Sequence, residues 1–147
     1  YSINGTTDSD KWGIVPENKN TMWDNLLVNN YTNGYRLPTA NEWKYAAAGG
    51  PEGKGNLYAG SNFPETVGWF ETNSGGKTHE VGKKVPNELG IYDMTGNVAE
   101  LCYDWCWEGA TRISYGGSWK NLLVIWKFTH FEPYNSDDSG IRLVRAY

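Results

Sequence analysis

Apolar positions recur with a helical period in one stretch of this chain. Trp43, Ala46 and Ala47 fall on one face of NEWKYAAA, and both ends of that stretch carry boundary signals. Thr39 with Glu42 forms a capping box: the Thr39 hydroxyl can accept from the Glu42 amide, and the Glu42 carboxylate can reach back. Pro38 disfavours helix at Leu37, and Gly49-Gly50 suits a left-handed C-terminal cap. The pattern predicts one clear helix near 39–48, with Trp43 as a core ring and the alanines allowing close approach.

Elsewhere the pattern is one of turns. Residues 1–35 are polar, with Asn-Gly pairs at Asn4-Gly5 and Asn33-Gly34, and read as loops with at most short regular pieces. Residues 51–84 are also loop-like, with PEGKGN and NSGGKT flanking short apolar pieces around Tyr58 and Trp69-Phe70. NSGGKT lacks the upstream glycine of a phosphate-binding loop and follows no clear strand, so it reads as a surface turn. ELCYDWCWEGATRISYGGSW alternates aromatic and polar residues and predicts short antiparallel strands.

The last third behaves differently. Its ends, GGSW and GIRLV, read as rigid framework, while the middle mixes Leu122, Leu123, Val124, Ile125 and Trp126 with charged and polar residues in no period. One reading buries residues 122–126 as a strand. The other exposes them as an apolar patch of the kind that marks a partner site. The missing period and missing turn residues favour an irregular display loop pinned between framework ends, with Phe128, Phe131 and Pro133 helping to hold it.

Composition narrows the classes. The chain has 147 residues, enough for a single domain over 1–147. Its net charge of −4, with 13 Lys and Arg, argues against nucleic acid as a partner. Eighteen Gly, eight Trp, ten Tyr and four Phe describe a turn-rich fold held by large rings. No apolar run approaches the ~18 residues of a membrane span. Cys102 and Cys106 are too few for a metal site with only His79 and His130 available, and read as small, partly buried thiols.

Taken in order, YRLPTANEWKYAAAGG, VPNELGIYDMTGNVAELCYDW, RISYGGSW and GIRLVR resemble the successive signatures of the formylglycine-generating-enzyme (sulfatase-modifying factor) domain. The resemblance covers the chain from about Gly34 onward. It implies an α+β fold of formylglycine-generating-enzyme type, C-type lectin-like and irregular, with small antiparallel sheets and the helix near 39–48. It also implies that the N-terminal part of the family domain is missing. Enzymes of that family use a copper-binding cysteine pair just after the GGS motif, and the matching positions here are Asn121 and Trp126. Neither forms a thiolate or binds soft Cu(I). No copper is expected, and the resemblance implies a non-enzyme. A structural calcium ion is implied at Asp93, Gly96, Val98 and Glu100; the competing reading is that Asp93 and Glu100 only hydrogen-bond the turn.

The same domain serves as the variable protein of diversity-generating retroelements, and the chain resembles treponemal variable proteins in its framework. That resemblance implies a hypervariable ligand surface built from Trp119, Lys120, Asn121, Leu122, Leu123, Val124, Ile125, Trp126, Thr129, His130, Glu132, Tyr134, Asn135, Asp137 and Asp138. Trp119, Trp126 and Tyr134 are the expected aromatic anchors, with Trp43, Trp105 and Trp107 supplying rigidity beneath. The implied partner is a protein or glycan on another cell or host surface. The implied location is the cell surface or the extracellular space, through an anchor ahead of Tyr1. The rivals are a formylglycine-generating oxidase-like enzyme and a structural envelope module of the same fold.

Overall fold

The computed structural model describes residues 1–3, 5–18, 20–24, 26–28, 33–106, 111–121, 129–130 and 137–145. Its elements are helix α1 (Thr21–Asp24), strand β1 (Tyr35–Arg36), helices α2 (Ala40–Ala47) and α3 (Pro64–Val67), and strands β2 (Gly68–Trp69), β3 (Thr95–Gly96), β4 (Ala99–Cys106), β5 (Thr111–Tyr115), β6 (Thr129–His130), β7 (Ser139–Ile141) and β8 (Val144–Arg145). They fall into two compact units, residues 1–36 with 143–147, and residues 37–142. Among the described residues no helix is long and apolar enough to cross a membrane.

The first unit is loop-built, in keeping with its polar sequence. Ser2 and Leu27 form an isolated antiparallel bridge, and Trp12 meets Trp23 edge to face at 6.3 Å. Strands β1 and β8 pair antiparallel, Tyr35 opposite Arg145.

In the second unit α2 starts as its sequence predicts. Glu42 N donates to Thr39 Oγ1 at 3.2 Å, and Thr39 N donates to Glu42 Oε2 at 2.8 Å. A further acceptor comes from far away in sequence: Ala40 N donates to Asp104 Oδ2 at 2.6 Å, bringing a carboxylate from β4 to the positive end of the helix. Beyond the helix, Gly49 takes the left-handed conformation at φ 86°.

The buried face of α2 packs on β4 and β5. Ala40, Trp43, Ala47, Ala59, Met94, Cys102 and Tyr115 form one cluster, with Trp43 and Tyr115 stacked at 5.1 Å between ring centroids. Trp105 is only half-buried, and the Arg112 guanidinium covers its ring at 3.9 Å. Trp107 lies outside the described residues. Four strands make the main sheet in the order β6-β5-β4-β7, with an irregularity in β4 between Leu101 and Trp105. The β4–β5 and β5–β6 pairs are antiparallel. The β4–β7 and β2–β3 pairs are parallel, because their partners return from distant chain rather than through a hairpin.

Two predictions follow from this core. Trp43 Nε1 donates to Glu100 Oε2 at 2.7 Å with both residues buried. Trp43→Phe keeps most of the packing but deprives a buried carboxylate of a donor, so urea unfolding is expected to show a loss of about 1.5–3 kcal/mol. Cys102 is fully buried, and desolvation, then the charges of Asp104 and Glu100, push its thiol from an ordinary 9.0 up to about 12. Its folded pKa is raised, so its contribution to stability is complete below pH 9 and is lost as pH rises from 9 toward 12. The alkaline loss of stability in wild type is expected to shrink in Cys102→Ala when both are referenced to their own stability at pH 7.

Candidate functional site

The site is built where β5 ends. Gly116 and Gly117 turn the chain, and Ser118 follows with no exposed surface. Asn121 then folds back on that serine. Its Oδ1 accepts Ser118 N at 2.9 Å, while its own N donates to Ser118 O at 3.1 Å. Ser118 and Asn121 thereby satisfy each other's local polar groups, and a tight turn fixes the start of the irregular segment.

A second loop buttresses this turn. Glu71 N donates to Asn121 O at 3.2 Å, and Ser74 Oγ donates to Trp119 O at 3.1 Å. Asn97 stands between the two loops at φ 65°, a left-handed value that Asn tolerates better than most residues. Its N donates to Trp69 O at 2.8 Å and its O accepts Trp119 N at 2.9 Å. Its side-chain amide grips the His79 backbone on both sides, at 2.9 and 3.2 Å. His79 stacks on Trp69 with ring centroids 3.8 Å apart, and its Nε2 lies 2.7 Å from Ser74 O. Lys84 Nζ sits 3.7 Å from the centre of the same indole.

The other end of the segment is held as firmly. Asp138 is 8 % exposed; its O accepts Ala99 N at 2.8 Å, and its Oδ2 accepts Ser118 Oγ at 2.8 Å. Strand β7 follows, pairing Gly140 with Glu100. A Cβ on Gly140 would lie 2.6 Å from Val98 Cγ2, so the glycine of GIRLV is required by close approach. Arg142 then grips Glu100 through Nε at 2.8 Å and Nη2 at 2.7 Å, and Nη2 also donates to Tyr92 O at 2.9 Å.

The expected ligand residues divide. Lys120 and Asp137 are exposed and form an ion pair. Hydrogen bonding from Lys120 holds the Asp137 carboxyl below its ordinary range. Trp119 is half-buried. Asn121 is half-buried with its oxygens used by the turn and by Glu71. Asp138 departs from expectation, since a buried, hydrogen-bonded carboxylate presents nothing to a ligand. The backbone of Thr129 and His130 forms β6 against Ser114 and Ile113. Leu122, Leu123, Val124, Ile125, Trp126, Glu132, Tyr134 and Asn135 lie outside the described residues. The buttress of Trp69, Ser74, His79 and Asn97 was not read from the sequence; Gly-Asn at 96–97 was its one local signal, since it invites a left-handed turn.

The four residues implied for calcium do not fit a cation as a set. Both Glu100 oxygens already face Arg142, and Oε2 also faces Trp43 Nε1. A guanidinium at hydrogen-bond distance repels a second cation. Asp93 Oδ2 accepts Gly82 N at 2.6 Å, whereas its buried Oδ1 has no hydrogen-bond partner. Among the described residues no three His, Cys, Asp or Glu side chains gather as metal ligands. This arrangement favours the reading in which Glu100 serves the fold. Dialysis against EDTA and readdition of millimolar calcium are both expected to leave the thermal midpoint unchanged. A midpoint that climbs with calcium concentration would restore the cation.

Residues 10–147 match the model of the sulfatase-modifying factor enzyme 1-like domain. The chain is 37 % identical to chaperone protein LppX of Paenibacillus barcinonensis, across 96 % of this chain and 58 % of that protein. It is 33 % identical to the formylglycine-generating enzyme of Thermomonospora curvata, across 56 % of this chain and 31 % of the enzyme. Among solved structures, Treponema denticola variable protein 1 superposes with a TM-score of 0.80 at 34 % identity, covering 88 % of this chain and 54 % of that one. The chain thus spans little more than half of LppX and of the variable protein.

Proposed function

The chain belongs to the sulfatase-modifying factor enzyme 1-like domain family, and from that premise we propose that it is a non-enzymatic, ligand-binding variable protein. In this reading the stretch after Asn121 is the diversified, lectin-like display surface for a protein or glycan ligand outside the cell. The observation that carries the proposal is the use of Asn121. At the position where the family's enzymes keep a catalytic cysteine, this chain has an amide spent on building a turn. A catalytic thiolate needs to be accessible and reactive, whereas a loop root needs to be rigid. Likeness to Treponema denticola variable protein 1 supports the same reading.

The test is a library of the whole chain diversified at 122–126, 129, 130, 132, 134 and 135. It is selected against a panel of purified extracellular proteins and immobilised oligosaccharides. Binders of about micromolar affinity or better are expected, and their target preference should move with the segment when it is grafted onto the parent chain. Failure to recover any segment-dependent binder would count against display. Conversion of a peptide cysteine to an aldehyde in the presence of copper would return the oxidase reading.

A further inference from the structure

We propose that Ser118, Asn121 and Asp138 form a closing clamp, which sets the limits of the exchangeable stretch at residues 122–137 and insulates the fold from changes within it. The proposal rests on the display reading for its biological use, but its physical content is independent of any ligand.

The argument begins with burial. Ser118 has no exposed surface and Asp138 only 8 %, yet they belong to opposite ends of the segment, 20 residues apart. Their side chains meet at 2.8 Å. Ser118 Oγ also lies 3.0 Å from Asn121 Oδ1 and accepts Lys120 N at 3.3 Å. A buried carboxylate oxygen accepting a buried hydroxyl replaces a lost hydration contact with a hydrogen bond, so burial favours the contact.

Each member is also tied to framework outside the segment. Asp138 O takes the Ala99 amide at the start of β4, and Asn121 O takes the Glu71 amide of the buttressing loop. Both ends are therefore referenced to the same body, and to one another, on either side of the exchangeable stretch. Lys120 and Asp137 add a solvent-facing ion pair above the buried bond. Such exposed pairs contribute little stability. Asp137 can therefore change with the segment, whereas Asn121 and Asp138 cannot. A diversified domain has one structural problem, which is that random side chains must not unseat the core. A buried polar closure at the root separates the two, because its contacts are made by Ser118, Asn121 and Asp138, while β6 within the stretch joins the sheet through its backbone.

Native-state hydrogen exchange on the whole chain tests this without a ligand. In Ser118→Ala the amides of Ala99, Lys120 and Asn121 are expected to exchange about tenfold faster, while Ala48, which bonds to Lys44 O within the helix, keeps its protection. Asp138→Ala should repeat the pattern from the other end, and it carries the test if Ser118→Ala does not fold. Asp138→Asn retains an acceptor and should restore most of the protection. Replacing residues 122–136 by an unrelated sequence of equal length should leave the root amides as in wild type. The clamp is overturned if the root amides keep wild-type protection in both alanine variants, or if Ala48 loses protection by the same factor. A replaced segment that deprotects the root also overturns it. Loss of the clamp in these experiments leaves ligand display standing, and failure of the binder selection leaves the clamp standing.

Discussion

A carboxylate that is 6 % exposed must find donors within the protein, and Glu100 finds three: the Trp43 indole and two nitrogens of Arg142. Helix α2, strand β4 and the chain beyond β7 therefore meet on one charged group. Removing the charged partner, Arg142, from such a buried pair typically costs about 3–5 kcal/mol, more than losing the neutral indole, because the remaining charge is left stranded. The bidentate geometry gives direction as well as energy, since a guanidinium fork accepts a carboxylate in few orientations. Through it, the position of Arg142 fixes the direction in which β7 leaves the sheet.

That direction determines the site. Strand β7 pairs in parallel with the first residues of β4, setting Ser139 opposite Ala99. With β7 seated, Asp138 arrives beside Ser118, and the two ends of the segment close on one another. The buttress of Trp69, His79 and Asn97 approaches the same root from the other side. Fold stability and site geometry thus share a small set of long-range polar contacts. The buried apolar cluster around Trp43 and Tyr115 lies under the helix.

What could be read from the chain beforehand divides along the same line. The capping box and the left-handed Gly49 depend on neighbours within a few residues, so their pattern is local and legible. The β4–β5 pair was legible for the same reason, through its alternation. Asp104 at the helix start and the parallel return of β7 join residues 64 positions apart in the first case and 40 in the second. Nothing in local periodicity encodes such pairings. Asp138 illustrates the consequence: in sequence it stands in a polar run and reads as solvent-facing, yet the serine of a motif 20 residues earlier takes it inside. His79, one of only two histidines, read as an isolated residue because its stacking partner and its amide grip come from different loops.

The root also shows what the loop geometry asks of position 121. A cysteine there would withdraw the oxygen that satisfies Ser118 N and lies against Ser118 Oγ. Sulfur is a weak acceptor, and its side chain is too short to reproduce both contacts. A thiol at position 121 would therefore loosen the turn. The surroundings point the same way. The cysteines this chain does have lie in β4, both buried, with Cys102 held neutral far above physiological pH. They serve as small core side chains. At the root, by contrast, the polar groups of Ser118, Asn121 and Asp138 are spent on one another, which is the arrangement a rigid loop root requires.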